Sequence, residues 1–271
     1  VVARLITRPV RHLERAARRI GEGDLDTSIA RRSTDEIGFL AETLETMRRQ
    51  LRARDERLQM MLAGIAHEVR NPLAGMELFA GILREELDGD EAKLAQVRRI
   101  ERELAHLKTI VTEFLDYARR PRPELAPVDA AEIVSEVHQM IAAEAGARVK
   151  VRLDARGLAP ALIKADAAQL RRALLNLGKN ALQAIGDAEG EITIVCDIND
   201  QTVRLAVRDS GPGVPDEARD KLFQPFFTTR EKGTGLGLAF VAEIARDHDG
   251  SVELDSAPGR GATFTIALPR A

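Results

Sequence analysis

Residues 65–75 read IAHEVRNPLAG and lie inside a helical repeat. Apolar residues recur at Leu58, Leu62, Ile65, Val69, Met76, Phe79 and Leu83, and Pro72 completes the alternation of threes and fours expected of a bundle seam. With Ile65 and Val69 on the seam, His67 lies about 200° round the helix and faces outward. Asn71, four residues on, shares that face. Glu68 stands about 100° from the histidine, with a carboxylate long enough to reach an imidazole nitrogen. Pro72 removes a helix hydrogen bond and crowds the carbonyl of Glu68, which softens the turn carrying His67. An exposed imidazole beside a carboxylate is an activated nucleophile, because the acid takes one ring proton while the other nitrogen attacks. His12, His106, His138 and His248 have no such company and are read as structural.

The repeat extends in both directions. Residues 4–21 form a helix with Ile6, Val10, Leu13, Ala17 and Ile20 on one face, ended by GEGDLDTSI (21–29). A second helix starts at STDEIG (33–38), where Ser33 or Thr34 caps and Asp35 and Glu36 suit the first turn's dipole. Its seam runs Ile37, Leu40, Leu44, Met47, Leu51 and reaches the histidine without a stop signal. Two steps of four at 54–58–62 form a stutter, read either as a place where rotation or tilt of one bundle biases the other or as a plain packing adjustment. LDGDEA (87–92) turns the chain into a return helix with Leu94, Val97, Ile100, Leu104, Leu107, Val111, Phe114 and Ala118 in register. Two long antiparallel helices with one apolar stripe each predict a homodimeric four-helix bundle. RRPRPELAP (119–127), with three prolines, ends it as a linker.

From residue 128 the pattern is mixed α/β. Helices are predicted at 129–145, from Asp166 to 185 and near 236–248, and strands at 148–154, 191–198, 202–209, 251–256 and 261–269. Over the whole chain of 271 residues, 31% charge with 3% aromatics suits a helix-rich, multidomain protein. A net charge of −3 argues against general nucleic-acid binding. The single cysteine, Cys196, excludes a disulfide framework and fits a reducing compartment. Six arginines (4, 8, 11, 15, 18 and 19) against Glu14 in the first twenty residues resemble the flank of a membrane helix, so the chain is expected to be the cytoplasmic portion of a membrane-anchored protein.

Three patches of the α/β part suit a nucleotide. NLGKNA (176–181) sets Asn176 and Asn180 on one helix face, two amides that hold a hydrated cation or phosphate oxygens without adding negative charge. DSGPGVP (209–215) places Asp209, an acceptor for an amino group, beside Gly211 and Gly213, which let a flat ring approach. KGTGLGLAFV (232–241) leads Gly233, Gly235 and Gly237 into a helix N-terminus suited to phosphate.

HEVRNPLAG resembles the phosphoacceptor box of sensor histidine kinases, and the later patches, with LFQPFF (222–227) between the last two, resemble the N, G1, F and G2 boxes of the Bergerat-type ATP-binding fold shared with gyrase and heat-shock chaperones. Pro9, Glu14, GDL (23–25) and DEIG (35–38) are similar to a HAMP module. The resemblance implies a parallel coiled-coil HAMP region (1–53), a dimerisation and phosphotransfer hairpin (54–119), a linker (120–127) and a catalytic α/β sandwich (128–271). It implies that His67 accepts the γ-phosphoryl group of ATP, Glu68 acts as base and Asn71 positions water for dephosphorylating a partner. Asn180 would hold Mg²⁺ and Asp209 would read the adenine amine. Residues 226–237 would form a lid whose Arg230, Lys232, Gly233, Thr234, Gly235, Leu236 and Gly237 meet phosphate together with Asn176 and Lys179. GRGATF (259–264) is similar to the last box, with Thr263 near adenine. Some members carry a lysine three residues after the metal-binding asparagine; this chain has Gln183 there, which leaves open the cation that meets the γ-phosphate. The implied partners are a second copy, the receiver domain of a response regulator and the membrane. The competing expectations are a nucleotide-binding signalling scaffold without kinase activity and an ATPase of the gyrase kind.

Overall fold

The computed structural model describes the chain except residues 1, 22, 32, 88, 119–122, 157–161, 200, 231–232 and 271. Two compact units, residues 1–97 and 98–271, each have their own contacts.

In the first unit, helix α1 (Val2–Gly21) and the long helix α2 (Glu36–Glu86) flank an extended connector, and Pro9 and Pro72 lie inside their helices. Asp35, not Ser33 or Thr34, caps α2: its carboxylate accepts from Ile37 N at 3.1 Å and Gly38 N at 3.0 Å. Ser33 instead accepts from the Asp35 amide, one step too early to cap the helix. Leu13, Ala16, Ile29 and Ala41 form a small core, joined by Ile20, Ile37 and Leu44. Ala16 thus takes the place predicted for Ala17.

The connector is fastened by a buried ion pair that hydrophobic spacing does not register. Glu45 accepts from Ile29 N at 2.9 Å and from Arg48 at 2.7 Å, while Arg48 also donates to the Leu25 carbonyl. Arg48, first among these donors, holds the Glu45 carboxyl well below the usual carboxylate range.

Along α2, burial departs from the predicted seam. Leu62 is buried as predicted, but Ala41, Glu45, Arg48, Ala66, Leu73 and Ala80 are buried beside the predicted positions, whereas Leu40, Met47, Leu58, Ile65, Met76, Phe79 and Leu83 are exposed. The helix therefore carries two stripes about one residue apart, one covered within the chain and one left open. Leu87 caps the end of α2, and helix α3 (Glu91–Ala118) follows. Among the described residues no helix is long and apolar enough to cross a membrane.

The second unit adds strand β1 (Ala126–Asp129), helix α4 (Ala130–Ala145), strands β2 (Val149–Arg156) and β3 (Leu162–Ala165), helix α5 (Ala167–Ile185), strands β4 (Gly190–Ile198) and β5 (Thr202–Asp209), helix α6 (Gly237–Asp247), and strands β6 (Ser251–Ser256) and β7 (Ala262–Pro269). The main sheet has the order β2-β4-β5-β7-β6, parallel only between β2 and β4. The sequence pattern does not predict the short pair β1–β3, and β1 begins at residues 126–127, inside the predicted linker.

Alternation sets the layers. Ile192, Ile194 and Cys196 of β4, Val203, Leu205 and Val207 of β5, and Ile266 and Leu268 of β7 are buried in one cluster with Val134, Leu174 and Val241 of the helices. Burial pushes the Cys196 thiol up to about 11, so this cysteine packs as an unreactive hydrophobe.

Helix α5, which carries both asparagines, is anchored at its start. Asp166 caps it through Ala168 N and Gln169 N and also accepts from the linker amide of Glu124. The Asp166 amide donates to Nε2 of buried His248 at 2.9 Å, so Nδ1 carries the ring proton and donates to the Ile244 carbonyl at 2.7 Å. His248 is structural, as expected.

Candidate nucleotide and phosphoacceptor sites

His67, Glu68 and Asn71 are all exposed on α2, beside buried Ala66 and Leu73. Outward projection of the histidine follows from the helical period. No hydrogen bond or ion pair joins His67 to Glu68 among the described residues, so the expected carboxylate–imidazole contact is not made in this conformation. Both side chains are exposed to solvent.

In the second unit a cavity of about 460 Å³ opens between α5, the end of β5, the 222–237 segment and β7. Asn176, Lys179, Asn180, Asp209, Gly213, Arg230, Gly233, Thr234, Gly235 and Gly237 all line it, although they come from three separate stretches. Lys232 lies outside the described residues.

Asp209 is 6% exposed. Burial raises its carboxyl pKa, against the backbone N–H groups of Gly211 and Ala262 and the charge of Arg230, which lower it. Gly211 N–H donates to the carboxylate at 2.8 Å, and a Cβ on Gly211 would meet that same oxygen at 2.8 Å. Gly211 therefore supports Asp209 from behind rather than lining the cavity.

Phe226 and Gly235 meet at the base of the segment that leads into α6. The Phe226 amide donates to Gly235 O at 3.0 Å, and Phe226 has φ +65, a left-handed backbone rare for an aromatic residue. Gly235 (φ +70) passes so close that a Cβ would meet Phe226 C at 2.5 Å. That segment delivers the chain to α6, whose first turn has no side-chain cap and so turns uncompensated N–H groups toward an anion. Leu236, 1% exposed, is a packing residue at this junction.

Thr263 is not on the cavity wall. On β7 its neighbours Ala262 and Phe264 line the cavity, while the Thr263 hydroxyl faces the other side and accepts from Arg208 at 3.4 Å. Strand period two, applied from Phe264, identifies the facing positions.

Sequence reasoning also missed Thr109 and Glu113 of α3, which line the cavity. Thr234 donates its hydroxyl hydrogen to the Glu113 carboxylate, and the next residue, Phe114, stacks at a tilt on Phe226 with centroids 6.4 Å apart. Arg172 of α5 pairs with Asp116 and lies 4.6 Å over the Phe240 ring. These are contacts between distant segments, which periodicity does not encode.

Chemically, the cavity offers one buried carboxylate acceptor, three side-chain amides (Asn176, Asn180 and Gln183), the cations Lys179 and Arg230, and a helix N-terminus. That set matches a planar amine-bearing base joined to a polyanion.

Residues 1–53 match the HAMP domain, 57–123 the His Kinase A (phospho-acceptor) domain, and 165–271 the histidine kinase-, DNA gyrase B- and HSP90-like ATPase family. The chain is 39% identical over 226 residues to the sensor histidine kinase ZraS of Klebsiella oxytoca, covering 80% of this chain and 48% of ZraS. It spans about half the length of that relative. The crystal structure of full-length ShkA in complex with AMPPNP is similar with a TM-score of 0.63 and 31% identity, over 78% of this chain and 46% of ShkA. The histidine kinase ThkA, solved in complex with the response regulator TrrA, is similar with a TM-score of 0.59 and 30% identity, over 82% of this chain and 65% of that one. With the HAMP, phosphoacceptor and ATPase-like domains in this order, the chain belongs to the sensor histidine kinases.

Proposed function

We propose that this chain is the signalling and catalytic part of an ATP-dependent protein histidine kinase that phosphorylates itself on His67. The observation that carries this reading is the convergence of Asn176, Asn180, Asp209 and Arg230 with the uncapped start of α6 around one cavity, in a chain that also exposes His67 on a phosphoacceptor helix. Asp209 accepts from the adenine amine. Lys179, Arg230 and the 233–237 amides hold the triphosphate. Asn180 provides a hard neutral oxygen for Mg²⁺, and the guanidinium that rests on it supports the fit of a cation there. When bound, Mg²⁺ neutralises charge on the phosphates.

One imidazole nitrogen of His67 attacks the γ-phosphorus. The new N–P bond forms as the bond to the β–γ bridging oxygen breaks, ADP leaves, and the proton of the other ring nitrogen passes to Glu68. The phosphoryl group then moves to an aspartate of a response regulator. The complex of the related ThkA with the regulator TrrA supports a partner of that kind. Asn71, on the same helix face, orients water when the protein dephosphorylates its partner. The open stripe of α2 is covered by a second copy, and HAMP relays the signal of a membrane-anchored sensor. The domain limits 1–53, 54–119, 120–127 and 128–271 belong to the same proposal.

Incubation with γ-labelled ATP and Mg²⁺ tests the reading. Acid-labile, alkali-stable label is expected on the parent and on neither His67→Gln nor Asn180→Asp. Nucleotide binding with no label on the parent contradicts the kinase and favours the scaffold.

A further inference from the structure

Arg230 makes contacts that phosphate binding does not require. One guanidinium reaches three neutral oxygens of α5: Nη1 donates to Asn180 Oδ1 at 3.2 Å and to Gln183 Oε1 at 2.5 Å, and Nη2 donates to the Asn180 carbonyl at 2.9 Å. Asn180 Oδ1 is the atom assigned above to the divalent cation. A guanidinium and Mg²⁺ cannot share it, because two cations within a few ångströms in a partly enclosed cavity repel strongly.

We propose that Arg230 is a placeholder for the metal: it occupies Asn180 while nucleotide is absent, parked there by Gln183, and metal loading exchanges it onto the triphosphate. The proposal rests on the ATP-site reading and adds a regulation to it.

Chemistry supports the exchange. Gln183 is neutral, so the parked guanidinium is held by hydrogen bonds and not by a salt bridge, which makes its release inexpensive. Without nucleotide, the charge of Arg230 also acts on buried Asp209, which lines the same cavity. An arriving triphosphate supplies several anionic oxygens that a planar fork grips better than neutral carbonyls. Gln183 stands where some members of the family carry a lysine, so here the helix position holds an acceptor and the cation comes from the loop. The Mg²⁺ concentration needed for nucleotide binding is thereby set by Gln183, which lines the cavity beside Asn180 and acts through Arg230.

The test is AMPPNP binding by calorimetry, with Mg²⁺ varied, on the parent, Gln183→Ala and Gln183→Leu. Releasing the parked guanidinium lowers the Mg²⁺ midpoint about three- to tenfold, the worth of one net hydrogen bond, with affinity in EDTA unchanged within about twofold. A general packing defect would move both. As a second readout, the Arg230 Nη–H resonances exchange slowly with solvent in the free protein, where Nη1 and Nη2 are hydrogen-bonded, and shift when Mg²⁺ and AMPPNP are added together. A midpoint that stays put or rises, or an Arg230 signal blind to Mg²⁺–AMPPNP, overturns the placeholder alone. A parent that binds no AMPPNP removes the ATP site and the placeholder with it.

Discussion

The α/β part of the chain and long helix α2 use apolar residues in different ways. Around the main sheet, Ile192, Leu205, Ile266, Leu174 and Val241 are all sealed, and the core is complete within one chain. On α2 the chain covers Leu62, Ala66, Leu73 and Ala80 and leaves Leu58, Ile65, Met76, Phe79 and Leu83 open. The nucleotide cavity thus stands on a self-sufficient scaffold, whereas the proposed phosphoacceptor stands on a helix whose packing is unfinished in a single copy. The contrast suits a division of labour in which the sheet core that carries the binding site is complete in one chain and the helix answers to whatever covers its open stripe.

The largest expected effect sharpens this division. His67→Gln should reduce phosphoryl incorporation by a factor of about 10³ or more and leave AMPPNP affinity unchanged, because it removes the nucleophile and touches nothing in the cavity. A parallel loss of nucleotide binding, measured by calorimetry, would break the separation.

Packing should separate the regions next. Leu205→Ala in the sealed sheet should cost about 2–5 kcal/mol of unfolding free energy by denaturant melts. Phe79→Ala, 66% exposed in the single chain, should leave monomer stability within about 0.5 kcal/mol and weaken self-association in sedimentation. Equal costs at the two sites would contradict the two-stripe reading.

Acid should act on the regions with opposite sign. Glu45 has a lowered carboxyl pKa, so its contribution to stability is full above the usual carboxylate range and is lost as pH falls toward the folded value. Asp209 has a raised one, so the folded state holds its proton more tightly; its contribution favours folding at low pH and weakens as pH rises through the folded value. On acidification the Ile29 amide should lose hydrogen-exchange protection before the amides of β5 do, and adenine nucleotide affinity should fall with a midpoint above 3.8. Loss of affinity only below that value would remove the burial argument for Asp209.

Much of this was legible in the residues, for reasons that also explain the gaps. The order of helices and strands after residue 128 follows from period and caps, and Asn176, Asn180, Asp209 and Gly235 could be picked out because small motifs fix local backbone and chemistry. The buried stripe of α2 was misread because its alanines carry little hydrophobic signal beside Leu58, Ile65 and Phe79. Glu45 and Arg48 count as solvated until a connector backbone is laid over them. The strands β1 and β3 are four residues each, too short to show a period. Thr263 was placed on the wrong face by one residue, the smallest slip a strand allows and one that inverts every side chain. The contacts of Glu113 and Arg230 join segments 121 and 50 residues apart, which no local pattern reports.

The most direct test of the central claim is to map the phosphoryl group after incubation with ATP and Mg²⁺, under alkaline conditions that preserve a phosphoramidate. The account predicts the group on the peptide that contains His67, and none on any peptide of Asp209→Asn. Phosphate on another residue, or undiminished phosphate on His67→Gln, would contradict it.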